Sequence, residues 1–340
     1  MHTKRVGIIG CGNIYRMHAH PLAHMEETQL AAVCDILPEK AEAAGRSYGC
    51  PAYADYKEML AKEGLDAVHI CLPHYLHAPV AVYAMEQGAD VVTEKPMAIA
   101  LADAQRMRDT AADTGRRLGV IFQNRYNPGS RLVREALQSG ALGKILGMRC
   151  QVTWRRDQAY YDSSDWRGRW DTEGGGVIIN QAIHTLDLMR WLSGEELREI
   201  SASIAHRGNT TVEVEDTAEG LLTFASGLQG LFYLTVNYAT DARTQLELCC
   251  EKGTAFLDAA RGVVRLHNGQ TEEADEDGAD AAAFGGGRDY WGFSHYRQIQ
   301  AFYRDPSGAV AADSCAQALQ TQAMICGIYR SAKTGRKVIL

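Results

Sequence analysis

The sequence predicts two domains of different class: an α/β domain of parallel strands over residues 1–122, and an α+β domain with a mostly antiparallel open sheet over residues 123–340. Three observations carry this. Up to Phe122, short apolar runs alternate with helix-compatible segments, the pattern of a doubly wound parallel sheet. From about Lys144, β-forming runs follow one another across short polar turns with no helix between them, the pattern of antiparallel pairing. The length, 340 residues, exceeds the roughly 250–300 at which a single core stops growing.

The first strand, residues 5–10, breaks at Gly10-Cys11-Gly12 into a helix-compatible segment that begins at Asn13-Ile14. A strand that turns on glycines into a helix aims backbone N–H groups and the positive helix end at a phosphate, as in the dinucleotide-binding Rossmann domain. Tyr15 stands where the third glycine of G-x-G-x-x-G belongs, so the motif by itself also reads as an ordinary strand-to-helix turn. The second apolar run, residues 30–34, ends in Asp35. A carboxylate at that distance accepts both ribose hydroxyls of an adenosine and repels a 2′-phosphate, which favours NAD over NADP. The nearest downstream arginine, Arg46, sits on the following helix.

Helices are predicted near residues 38–48, 55–62, 75–87 and 101–115, with strands at 67–72, 89–93 and 118–122. Ligands of such sheets bind at the carboxyl ends of the strands. Three groups lie there: Leu72-Pro73 with His77, Glu94-Lys95-Pro96, and Gln123-Asn124-Arg125. Each also has a plain structural reading, the prolines as strand terminators and Arg125 as a surface cation. Lys95 stands out, because a lysine fixed beside the crevice by a following proline is placed for proton transfer. Lys95–Pro96 is a candidate cis bond.

The run GGGVIINQAIHTLDLMRWL, residues 174–192, places Asn180, His184 and Asp187 at i, i+4 and i+7. On one continuous helix these share a face, and the rest of the helix is apolar. An unpaired buried polar group costs roughly 2–7 kcal/mol, so the three pair with one another, meet a ligand or line a wet pocket. A satisfied core histidine is the plainer alternative.

The second domain reads as strands near 147–154, 200–207, 217–224, 229–238, 245–250 and 254–258, covered by the 174–192 helix and by helices near 296–303 and 314–332. Leu222, Phe224, Leu231, Tyr233 and Leu246 are assigned to the other face, predicting a homodimer or homotetramer through this sheet. Trp166 belongs to a loop of interleaved tryptophan and arginine that suits a sugar: indole for C–H faces, arginine for hydroxyls. It reads equally as a packed support for the 174–192 helix. Residues 272–280 read as a solvated acidic loop, residues 285–291 as a flexible element over the cleft, and His295 as the start of the next helix.

With Gly10-Cys11-Gly12-Asn13-Ile14, Cys71-Leu72-Pro73 followed by His77, Glu94-Lys95-Pro96, Asn124-Arg125, the 174–192 run and the ending YRSAKTGRKVIL, the chain resembles the Gfo/Idh/MocA oxidoreductases along its whole length. The resemblance implies NAD or NADP in the first domain, held by Gly10, Gly12, Asn13, Ile14, Asp35, Leu72, Pro73, His77, Glu94, Lys95 and Gln123. It implies hydride exchange with a carbinol carbon of a sugar, cyclitol or glycoside. Lys95 would touch the reacting oxygen, His184 would act as general acid or base, and Asn180 would complete the catalytic group. Lys95, Arg125, Trp166, Asn180, His184 and His295 would meet substrate, and Asp187 would fix the His184 tautomer. Many members carry aspartate where this chain has Asn180. An amide positions a hydroxyl but relays no proton, so that task falls to His184 and Lys95.

Composition narrows the alternatives. A net charge of −7 attracts neither nucleic acid nor anionic membrane, and no stretch approaches a signal sequence or a membrane span, so a cytoplasmic protein is expected. Nine cysteines without C-x-x-C spacing read as small buried residues in a reducing compartment, not as a disulfide frame or a zinc site. His184 and Asp187 lack an obvious third ligand, so no metal is assigned. Two other readings stay open: an eliminating or glycoside-cleaving enzyme that recycles tightly bound NAD, and a non-catalytic dinucleotide sensor, against which the retained Lys95 and His184 speak.

Overall fold

The computed structural model describes residues 3–208, 211–276 and 294–340. The chain divides into two compact units, Met1–Gln123 with Gly278–Leu319, and Asn124–Asp277 with Gln320–Leu340. The return of the chain to the first unit was not foreseen.

In the first unit the elements run β1 (Lys4–Ile9), α1 (Tyr15–His24), β2 (Thr28–Cys34), α2 (Pro38–Tyr48), β3 (Ala52–Tyr53), α3 (Tyr56–Glu63), β4 (Ala67–Ile70), α4 (His77–Glu86), β5 (Asp90–Thr93), α5 (Leu101–Thr114) and β6 (Leu118–Val120). The sheet is all parallel in the order β3-β2-β1-β4-β5-β6, so strand order reverses between β1 and β4. Helices on both faces explain why every residue of β4 is buried. The carboxyl ends beside the reversal, Gly10 after β1 and Cys71 after β4, are where such a sheet binds its ligand.

The second unit holds α6 (Pro128–Gln138), β7 (Ile145–Thr153), α7 (Gln158–Asp162), α8 (Ile183–Ser193), β8 (Leu197–Ala205), β9 (Thr217–Phe224), β10 (Gln229–Thr235), β11 (Gln245–Cys250), β12 (Gly253–Asp258), β13 (Arg261–Leu266) and β14 (Thr271–Ala274). With β15 (Val338–Ile339) they form a nine-stranded sheet, β14-β13-β12-β11-β7-β10-β9-β8-β15. All pairs are antiparallel except β10 with β7. Glu272–Ala274, expected in a loop, pairs with β13 instead.

Period-2 alternation sorts the sheet into two faces. Helix α8 packs on one of them so closely that a Cβ at Gly230 would meet Met189 Sδ at 2.6 Å. Leu222, Phe224 and Leu246 lie buried on that covered side, which corrects their assignment to the open face. Leu231 and Tyr233 are 58% and 40% exposed on the other side.

After the second unit come α9 (Ser294–Arg304) and α10 (Ala309–Thr334). Their apolar spacing predicts both as cover for the antiparallel sheet. Instead α9 buries Ile299, Phe302 and Tyr303 in the core of the parallel-sheet unit. Gln298 shows why: β6 is an edge strand, and the Gln298 amide takes the Phe122 N–H at 3.0 Å and donates to the Val120 carbonyl at 2.8 Å. Helix α10 belongs to the first unit up to Leu319 and to the second from Gln320, where a Cβ at Gly327 would press on Ile200 of β8. Among the described residues no helix is long and apolar enough to cross a membrane. The glycine-rich element at 285–291 lies outside the described residues.

Candidate active site

The turn after β1 is built around Gly10, whose φ is +99° and where a Cβ would lie 2.4 Å from the Cys71 carbonyl oxygen. Only glycine lets the two strand ends approach this closely. Gly12 and Asn13 are exposed with open space around the Gly12 Cβ position, and Ile14 leads into α1. Tyr15, at the third glycine position, is buried in the hydrophobic core. Asp35 Oδ2 accepts the Cys11 N–H at 2.8 Å and Oδ1 the Leu37 N–H at 2.9 Å, so this carboxylate is anchored against the glycine turn. A glycine cradle, a helix start and an acid at the end of β2 are the parts a dinucleotide requires, and they fit one.

Along the same edge, Leu72 and Pro73 follow β4, and Lys95 and Pro96 follow β5, joined by a cis peptide bond. His77 is fully buried between them, Nδ1 2.7 Å from the Pro96 carbonyl oxygen and Nε2 2.9 Å from that of Leu72. A neutral imidazole donates to only one of these, and burial pulls its pKa down against the pull of both carbonyls. Both ring nitrogens thus face the protein backbone, and His77 clamps two binding segments together. Gln123, after β6, is buried, and its Oε1 meets no donor among the described residues, which suits a group that accepts from a bound cofactor.

Glu94 is part of a buried chain the sequence did not reveal. His18 Nε2 and His295 Nε2 lie 2.9 and 3.1 Å from Glu94 Oε1, His18 Nδ1 is 2.7 Å from His69 Nδ1, and His69 Nε2 is 3.0 Å from the Tyr303 hydroxyl. One set of tautomers satisfies every link: Tyr303 donates to His69, His69 to His18, and His18 and His295 to the carboxylate. Burial would raise the Glu94 carboxyl, but the hydrogen bonds from His18 and His295 outweigh it and hold it well below its usual range. Burial pushes His18 and His69 down, which keeps both rings neutral. His295, expected to face substrate, is thus on α9 in the first unit, 1% exposed and turned to Glu94. Lys95 is half-buried, and its own N–H lies 3.3 Å from Glu94 Oε2.

In the second unit the 174–192 run is not one helix. Helix α8 begins at Ile183, and residues 174–182 are bends and turns. The cause is Glu215: its carboxylate takes the N–H of Gly176 at 2.9 Å and of Ile178 at 3.1 Å, while its own carbonyl takes that of Val177 at 3.2 Å. Those N–H groups face away from any helical ladder. A Cβ at Gly175 would overlap the Tyr329 hydroxyl and one at Gly176 the Glu215 carbonyl, which accounts for the glycines. Burial pushes the Glu215 carboxyl up to about 7 against the pull of Ile178, Gly176 and Tyr329.

Asn180 therefore lies on the turn ahead of His184. Its Nδ2 donates to Glu173 Oε1 at 2.5 Å and approaches the Tyr160 hydroxyl at 3.4 Å. His184 is half-buried in the first turn of α8. Asp187 does not fix its tautomer. Arg125 Nε and Nη2 reach Asp187 at 2.7 and 2.5 Å, Thr321 donates at 2.5 Å, and Arg190 stands behind at 3.7 Å. Burial would raise the Asp187 carboxyl, but Arg125, Arg190 and Thr321 hold it below its usual value. Arg125, 8% exposed, is thereby committed to a buried ion pair and not displayed to a ligand. Trp166 is half-buried under the Arg167 guanidinium, whose carbon lies 5.1 Å from the ring centre.

Comparison with known proteins agrees with this layout. Residues 4–122 match the model of the oxidoreductase family with an NAD-binding Rossmann fold, and residues 130–256 that of the GFO/IDH/MocA C-terminal domain. The chain is 28% identical to the D-glucoside 3-dehydrogenase of Escherichia coli K12, over 99% of this chain and 97% of that one. It is 27% identical to the myo-inositol 2-dehydrogenase of Thermotoga maritima, over 76% of each. Among solved structures, the WlbA dehydrogenase of Bordetella pertussis, in complex with NADH and UDP-GlcNAcA, superposes with a TM-score of 0.84 at 30% identity, over 100% of this chain and 99% of that one. The glycine cradle, the Glu94-Lys95-Pro96 strand end and the Asn180–His184 segment therefore belong to a member of the Gfo/Idh/MocA family of NAD-binding oxidoreductases.

Proposed function

We propose that this oxidoreductase moves a hydride between NAD and a carbinol carbon of a sugar, cyclitol or glycoside. The observation that carries the reading is Lys95, just after β5, its own N–H 3.3 Å from Glu94 Oε2 and the carbonyl of the next residue, Pro96, 2.7 Å from His77 Nδ1. NAD, when bound, supplies the hydride acceptor at C4 of its nicotinamide. In the oxidising direction the His184 imidazole takes the hydroxyl proton, and the Lys95 ammonium stabilises the alkoxide that forms as the hydride departs. Asn180, its Nδ2 committed to Glu173 and Tyr160, orients the substrate hydroxyl as an acceptor through Oδ1.

The kinship with D-glucoside 3-dehydrogenase and myo-inositol 2-dehydrogenase supports this substrate class. The test is reduced-nicotinamide absorbance with NAD against a panel of sugars, inositols and glycosides. Net reduction with at least one compound is expected. Product without net reduction would favour the recycling mechanism, and NAD binding with silence across the panel would favour a sensor.

We also infer that copies associate through the open face of the second sheet, where Leu231 and Tyr233 stand exposed. Light scattering of Leu231→Glu should show a smaller particle than the parent; an unchanged mass would refute it. We infer a cytoplasmic setting, a reading supported by nine cysteines that a reducing compartment keeps as thiols.

A further inference from the structure

Beside Asn180 on the second unit, the Tyr160 O–H and the Arg167 guanidinium have no part in the mechanism above. Tyr160, in α7, accepts from Asn180 Nδ2 at 3.4 Å and from Gln181 Nε2 at 3.2 Å. A phenol that accepts two N–H groups still has its own hydrogen to give, and among the described residues nothing takes it. Two guanidiniums approach its ring, with Arg167 4.7 Å and Arg156 5.3 Å from the ring centre.

The two cations differ. Arg156 is paired with Asp241 at 3.0 Å. Arg167 has no carboxylate within ion-pair distance among the described residues. Its Nη1 reaches only the Ser163 and Ser164 hydroxyls, at 2.9 and 3.1 Å, and its Nε is buried without a hydrogen-bond partner. The buried acid of this group, Glu173, directs Oε1 to Asn180 and Oε2 to the Gly168 N–H, and among the described residues no ion pair joins it to Arg167. A partly desolvated guanidinium beside an unused phenolic hydrogen offers donors and no acceptor. The group that complements it is an oxygen that only accepts and carries negative charge.

We infer that Tyr160 and Arg167 form an anion subsite for the substrate, so that the carbohydrate carries a carboxylate or a phosphate. Arg167 meets one anionic oxygen and the Tyr160 O–H the other, one residue group away from Asn180. The inference rests on the reading of Asn180 and His184 as substrate-facing.

The experiment is calorimetric titration of the NADH-loaded protein with matched pairs, glucuronate against glucose and glucose 6-phosphate against glucose; the two pairs separate carboxylate from phosphate. One acidic member should bind about 10- to 100-fold more tightly than glucose, the range of a hydrogen-bonded contact to a charged group. Arg167→Gln should collapse that ratio towards one, Arg167→Lys should restore part of it, and Tyr160→Phe should reduce it. Each variant is first checked for NADH binding and for an unchanged melting temperature. Equal binding of acidic and neutral sugars by the parent, or a ratio that survives Arg167→Gln, would overturn the subsite. Turnover tests the dehydrogenase reading separately: neutral sugars oxidised as well as acidic ones leave the hydride transfer standing and sink only the subsite.

Discussion

Asp187→Ala is the perturbation that best separates a structural ion pair from a substrate contact. Asp187 is 1% exposed and faces two buried guanidiniums, Arg125 at 8% and Arg190 at 4%. Truncating it leaves both cations without their shared anion, a change that costs about 3–5 kcal/mol when one partner of a buried pair is removed. Against a total of about 5–15 kcal/mol this is large, and the urea midpoint should fall steeply with little change in slope. The sign with pH follows from the depressed Asp187 pKa. Its contribution is fully present above the unfolded value of about 3.9 and is lost as pH falls through that value to the folded one. The gap between parent and variant should therefore be constant at neutral pH and close in acid. A loss below about 1 kcal/mol, with kcat/KM falling instead, would refute the structural reading and return Arg125 to the substrate role its position after β6 suggests.

Other outcomes follow from the same geometry. Lys95→Ala should lower kcat by about 10²–10⁴-fold while leaving NAD binding nearly unchanged, read by steady-state rates beside cofactor titration. Asp35→Ser should weaken NAD and move the kcat/KM preference towards NADP, because the carboxylate anchored to Cys11 N–H is what repels a 2′-phosphate. Glu215, pushed from 4.5 to about 7, binds more protons folded than unfolded in that window, so stability should fall by about 3 kcal/mol as pH rises through it and level off above. Melting curves of Glu215→Gln should lack that limb; an identical pH profile in parent and variant would show that Glu215 does not titrate there.

Much of the fold could be read from the chain because its periodicities are local. The Gly10 turn, Asp35 and the Lys95–Pro96 strand end were legible since each follows directly from a strand terminus. β9 and β11 fall on the residues expected for them, as alternation over six or eight residues leaves little freedom. The 174–192 run misled because its apolar spacing is helical, while the group that interrupts it, Glu215, lies about forty residues downstream and acts through backbone N–H groups. Likewise His295 looked like a ligand residue because its partners, Glu94 and His18, are some 200 and more positions away. The return of α9 to the first sheet depends on the unpaired edge of β6, which no local pattern in residues 294–304 discloses.

Direct hydride transfer is the centre of the account, and one label settles it. A panel compound that reduces NAD is prepared with deuterium on its carbinol carbon and incubated with the protein, and the reduced cofactor is weighed by mass spectrometry. The account predicts one deuterium in the nicotinamide for each ketone formed, none lost to water, and the same transfer slowed about 10²–10⁴-fold in Lys95→Ala. Deuterium appearing in solvent, or returning to product while added NAD stays oxidised, would contradict it.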